Sequence, residues 1–134
     1  MAIELQIVAA TTLILFLVIG VQGTLVPLNQ GFGWGLGSRD EAVTKTTLQQ
    51  RATRTVANHI EGMLLYVPLA LIIVISDLSS DLTALGAILY FAGRATFAPL
   101  YLLGVPYLRT LAWTVSVVGI LVLGYVVMSA ALAG

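Results

Sequence analysis

Residues 51–68 read RATRTVANHIEGMLLYVP, and the fold of the whole chain turns on how that stretch is wound. As a helix, with about 100° of rotation per residue, it sets Arg51, Arg54, Asn58 and Glu61 three, four and three residues apart. All four then lie in one narrow stripe. An uncharged run follows at once, from Gly62 to Ser76, apolar enough to enter lipid. The stripe therefore ends in a carboxylate where the helix meets the membrane. Such a placement is costly unless the acid has a partner, which points to a polar binding site at the membrane edge.

The composition agrees with a membrane solvent. Of 134 residues, 59% are hydrophobic and 9% charged, with a mean hydropathy of +1.02. A soluble domain carries roughly 25% charged residues, so that class is excluded. Six basic and six acidic residues leave no net field to attract nucleic acid or an acidic surface. With no cysteine, disulfides, thiolate nucleophiles and cysteine metal sites are out. One histidine and no dense carboxylate cluster argue against a metal as well.

Working outward from the quoted stretch, its helix is expected over 46–76. At 1.5 Å per residue that is roughly 45 Å, longer than a hydrocarbon core of about 30 Å. The first turns, with Arg51 and Arg54, must project beyond it, and Pro68 should kink the buried part. Upstream, 5–26 reads as a first transmembrane helix ended by Pro27. Its only early charge is Glu4 and no Ala-x-Ala site follows, so it is read as retained rather than as a cleaved signal. Between the two, Gly31, Gly33, Gly35 and Gly37 interleave Phe32, Trp34 and Leu36. No Lys-Ser/Thr follows, so this is an interfacial loop rather than a phosphate cradle.

Downstream, Asp77–Asp81 is a polar turn, with Ser80 or Asp81 suited to cap the next helix. That helix is expected over 82–103, with Gly104 as its C-terminal cap. The last is expected over 106–132, with Pro106 at its first position. The architecture is one domain, an all-α membrane bundle of four transmembrane helices. Basic residues gather in the first loop and at Arg109, whereas the turn at 77–81 holds only acids. The positive-inside tendency puts the first and third connections in the cytoplasm and both termini outward.

A second stripe, Tyr90, Arg94, Phe97 and Tyr101, is spaced four, three and four on the third transmembrane helix. Arg94 has no charged neighbour between Leu82 and Leu108, and Glu61 is its expected partner by depth. Arg109 opens the last helix on the same side of the membrane. Any one of these arginines alone would be a snorkelling anchor. Together, Arg51, Arg54, Asn58, Glu61, Arg94, Tyr101 and Arg109 read as a site. His59 stands one residue off the stripe and reads as a packing or headgroup histidine.

The pattern Arg51-Ala-x-Arg54-x-x-x-Asn58-x-x-Glu61, followed by an apolar helix with Pro68, resembles the MAPEG family, the membrane-associated proteins in eicosanoid and glutathione metabolism. The resemblance extends to Arg94-x-x-Phe97-x-x-x-Tyr101 and to Tyr107-Leu-Arg109-Thr-Leu-Ala-Trp113. The first loop, Gly-Ser-Arg39-Asp-Glu, is similar to that of the small bacterial members, which implies the bacterial inner membrane. The resemblance implies a homotrimer that binds glutathione as co-substrate between neighbouring subunits at the cytoplasmic side. Arg51 and Arg54 would pair with its carboxylates, Asn58 would bond its backbone, and Glu61 would hold its ammonium. Arg94 is counted with these binding residues. Tyr101 would line the site and Arg109 would face the thiol, the two forming the catalytic set. Phe97 stands where several members have tyrosine or histidine, which removes a hydrogen-bond donor.

The chemistry suits those roles. Glutathione carries two carboxylates, an ammonium and a thiol. A free thiol of pKa about 8.5 is acidified by a nearby guanidinium. The second substrate would be a lipophilic small molecule arriving from the bilayer, an electrophile or a hydroperoxide. Two other readings stay open: a small proton-coupled drug exporter using Glu61, and a non-catalytic member of the same family.

Overall fold

The structure, a computed structural model, describes residues 1–134 and is all-helical. In chain order it comprises α1 (Ile3–Gln30), α2 (Phe32–Leu36), α3 (Thr47–Ile75), α4 (Asp81–Leu102) and α5 (Leu108–Ala133). The four long helices are each long and apolar enough to cross a membrane. They run up and down, so the starts of α1 and α4 share one end of the bundle with the ends of α3 and α5. This is called the termini end here. The opposite end holds α2, the start of α3 and the connection between α4 and α5.

Local chemistry sets most of the boundaries. Thr46 caps α3 through a reciprocal box: its hydroxyl accepts from Gln49 N at 3.2 Å, and Gln49 Oε1 accepts from Thr46 N at 2.8 Å. Ser80 and Thr83 form the same box at the start of α4, at 3.3 and 2.8 Å. At its other end α4 closes in a Schellman turn. Val105 N donates to Leu100 O at 2.9 Å and Gly104 N to Tyr101 O at 3.0 Å. Gly104 adopts φ +73, which a residue with a Cβ adopts only under strain.

Three expectations shift. Pro106 does not open the last helix: Leu108 N turns back onto Pro106 O, and α5 begins only at Leu108, after Tyr107 at φ 58. Pro27 does not end α1, which continues to Gln30. A proline deletes its own N–H but leaves its carbonyl, and Pro27 O accepts from Gly31 N at 3.0 Å. The glycine-rich connection also contains a short helix, α2, whose Gly35 packs against Pro27. Trp34 Nε1 donates to Glu41 O at 3.0 Å, and Arg39 donates twice to Gly35 O, at 2.9 and 2.7 Å.

Helices α4 and α5 make the closest pair. A Cβ at Gly93 would run into Ala112 O and Ser116 N, and one at Gly119 into the backbone of Gly86 and Tyr90. Small residues let backbones approach in a membrane, where tight packing replaces hydrophobic exclusion as the force between helices. The core beside this seam is formed by Tyr66, Tyr90, Ile73, Ile7 and Leu123. Tyr66 and Tyr90 stack with ring centroids 4.1 Å apart and planes 3° from parallel. Phe16, Leu17, Leu64, Leu121 and Tyr125 stay exposed, as lipid-facing side chains do.

Candidate functional site

Helix α3 carries two faces about 100° apart, offset by a single residue. The inner one is Thr55, His59, Gly62 and Tyr66, all buried. The polar stripe lies next to it. Arg54 and Glu61 are exposed, and Arg51 and Asn58 are half-buried. The stripe therefore looks out of the bundle, and Asn58 stands on the border between the two faces.

That geometry decides the partner of Arg94. Arg94 is 1% exposed, the largest fully buried side chain in the chain. Its Nη1 donates to Asn58 Oδ1 at 2.8 Å, and its Nη2 lies 3.4 Å from His59 Nδ1. The guanidinium carbon sits 4.8 Å from the centroid of the Phe97 ring. The expected pairing with Glu61 is replaced by one amide and one imidazole, because Glu61 is on the outward stripe. Phe97, read from the sequence as a lost donor, supplies an aromatic face to a buried cation instead.

The remaining residues gather around the α4–α5 connection. Tyr101 tilts against Phe97, with centroids 5.3 Å apart and planes at 50°. Arg109 lies over the opposite member of this pair, 4.6 Å from the Tyr101 centroid. Arg51 sits against Gly104, where any Cβ would strike its guanidinium. Arg51, Asn58, Tyr101 and Arg109 thus border one region at this end of the bundle, all half-buried, with Arg54 and Glu61 exposed beside them.

His59 is fully buried, with Nε2 3.0 Å from Thr11 O on α1. Its one-residue offset from the stripe was the signal that it packs inward.

Sequence reading passed over a second polar cluster, at the termini end. Glu4 is 1% exposed. Its Oε1 accepts from the Thr83 hydroxyl, and its backbone O accepts from Tyr66 Oη at 3.0 Å. Glu4 Oε2, Tyr90 Oη and Arg94 Nε are the buried side-chain atoms without a hydrogen-bond partner. The last two both approach Gly62, within 3.4 and 3.5 Å of where its Cβ would stand. A lone acid early in an apolar helix was the available signal for Glu4, but nothing in the sequence pairs it with Thr83.

No curated protein and no solved structure matches the chain. The profile of the MAPEG family matches residues 7–129. That match takes in both stripes and Arg109 and reaches into all four long helices; the chain is an integral membrane protein and belongs to the MAPEG family.

Proposed function

We propose that the chain binds glutathione on the outward stripe of α3 and activates its thiol against lipophilic electrophiles or hydroperoxides. The observation that carries this reading is the orientation of the stripe. Arg54 and Glu61 face out of the bundle, Arg51 and Asn58 stand half-buried at its border, and Arg109 is held over Tyr101 beside them. From Arg51 to Glu61 the stripe covers about 15 Å. An extended tripeptide covers about 10 Å, so its two carboxylates and its ammonium can be met by separate side chains.

The roles follow from charge. Arg51 and Arg54 hold carboxylates, Asn58 bonds a backbone group, and Glu61 holds the ammonium. Arg109 stabilises the thiolate, with Tyr101 lining the site. Arg94 belongs to the site through Asn58, which it holds by a hydrogen bond. An outward stripe at this depth also suits closure by a second copy of the chain, as in a homotrimer. The site is assigned to the cytoplasmic side of a bacterial inner membrane, with both termini outward.

Calorimetry with glutathione on the detergent-purified protein tests the binding, and absence of heat would remove the proposal. Orientation is tested with single cysteines, for which there is no native background. Ser38→Cys should react with an impermeant reagent only from the cytoplasmic side and Ser79→Cys only from outside. The reverse pattern would place the site away from cytosolic glutathione.

A further inference from the structure

Histidine 59 lies outside the stripe, touches no expected ligand group and is fully buried. Its surroundings nevertheless bear on the site, through a chain of hydrogen bonds that runs from α1 through His59 and Arg94 to Asn58. The chain starts at Thr11 O, a backbone carbonyl and so only an acceptor. His59 Nε2, 3.0 Å away, must therefore carry a proton. In a neutral ring this leaves Nδ1 with a lone pair. That lone pair faces Arg94 Nη2 at 3.4 Å, and arginine has donors only. The other arm of the guanidinium, Nη1, must likewise meet an acceptor. It meets the side chain of Asn58 at 2.8 Å, which makes the facing atom Oδ1.

An asparagine amide seen alone has two orientations that differ little in shape. Here one of them is selected by Arg94, which can only donate, and the Thr11 carbonyl acts further back, by leaving His59 Nδ1 as the acceptor that holds the other arm of the guanidinium. With Oδ1 held inward, the NH2 group of Asn58 turns to the outward stripe, where the side chain is half-buried.

We infer that His59 and Arg94 are positioning residues that fix Asn58 as a hydrogen-bond donor toward the ligand. This rests on the assignment of the outward stripe as the glutathione site. The stripe then has a polarity. Arg51, Arg54 and Asn58 offer donors in succession, and Glu61, one turn further into the membrane, offers only acceptors. A ligand must present a carbonyl or carboxylate oxygen at Asn58 and its ammonium at Glu61. A compound that brings an N–H or ammonium to Asn58 is rejected, because two donors would face each other in a partly desolvated place.

The chain has a single histidine, so 15N-histidine NMR of the purified protein reads this relay without a ligand. The expected result is one neutral tautomer with its proton on Nε2, and a shift of the Nδ1 signal in Arg94→Lys. A proton on Nδ1 would overturn the relay. Asn58→Asp keeps an acceptor for Arg94 and removes both donors. Its melting temperature should hold or rise, while glutathione affinity falls about tenfold or more. Retained affinity would overturn the donor assignment. His59→Leu should weaken glutathione as well, and His59→Asn, whose Oδ1 can take the place of Nδ1, should restore much of the loss. Equal losses in the two would show that His59 acts only as packing. If the parent itself fails to bind glutathione, that reading of the stripe falls. The tautomer and the thermal response of Asn58→Asp then still decide whether the relay exists.

Discussion

At the termini end, Glu4 on α1 accepts a hydrogen bond from Thr83 on α4, and Tyr66 on α3 ties to the backbone of the same glutamate. At the opposite end, Arg94 on α4 joins Asn58 and His59 on α3, and His59 reaches Thr11 on α1. Both clusters link the same three helices through buried polar groups. They differ in what lies outside them. Around Glu4 the other charged side chains on the neighbouring turns are Asp77 and Asp81, both exposed. Around Arg94 there is a half-buried amide, then exposed Arg54 and Glu61 on the adjacent face. Buried polarity alone therefore does not mark a site. What marks the proposed site is a border residue such as Asn58, bonded inward and half-buried.

The comparison breaks completely if α4 is displaced, since α4 carries both Thr83 and Arg94. Gly93→Leu should do this, because any Cβ there meets the α5 backbone. Overpacking costs about 1–3 kcal/mol and more when the backbone cannot move. The expected result is loss of a cooperative thermal transition in detergent, and a normal transition would contradict the close seam. The next effect separates the two ends. Glu4→Ala should lower stability by about 2 kcal/mol, by loss of a buried hydrogen bond and of packing volume. Glutathione affinity of the folded protein should stay the same. A parallel loss of affinity would mean that the ends are coupled.

The converse pair should be smaller in stability and visible in binding. Arg54→Ala and Glu61→Gln are exposed changes, so melting should move by no more than about 0.5 kcal/mol equivalent. Glutathione affinity should fall about tenfold or more in each. Unchanged affinity in both would remove the site from this stripe. The smallest expected change concerns the thiol. Arg109→Leu removes the cation proposed to face the thiolate, which should disfavour the charged form and move its titration to higher pH. Affinity should hardly change, and conjugation to chlorodinitrobenzene should fall with the thiolate absorbance. The same titration in variant and parent would make Arg109 an anchor only.

Much of this architecture is legible from residue order. Four apolar runs broken by Pro, Gly and polar turns gave the spans, since an uncharged stretch of that length has few alternatives to a membrane helix. Thr46, Ser80 and Gly104 act at helix ends as their side chains, or the lack of one, require. The three-four-three spacing of Arg51, Arg54, Asn58 and Glu61 fixes them on one face in any helix. The extent of α1 past Pro27 was harder to read, because one missing N–H is a weak local signal against a helix held by its neighbours.

What the tertiary structure alone decided is which face of each helix turns inward. In water, the apolar side of an amphipathic helix is the buried side, and sequence periodicity reveals it. In lipid the surroundings are as apolar as the core, so that periodicity no longer distinguishes inside from outside. Helix geometry sets His59 one step from Asn58 but not that both of them meet Arg94. The close approach of α4 and α5 along Gly93 and Gly119, and the seating of α3 by Thr55, His59, Gly62 and Tyr66, settle that choice. They put Glu61 on the outside, give Arg94 neutral partners, and bring Glu4 to Thr83, 79 residues away along the chain. Each is a contact between helices whose rotation about their own axes only packing can set.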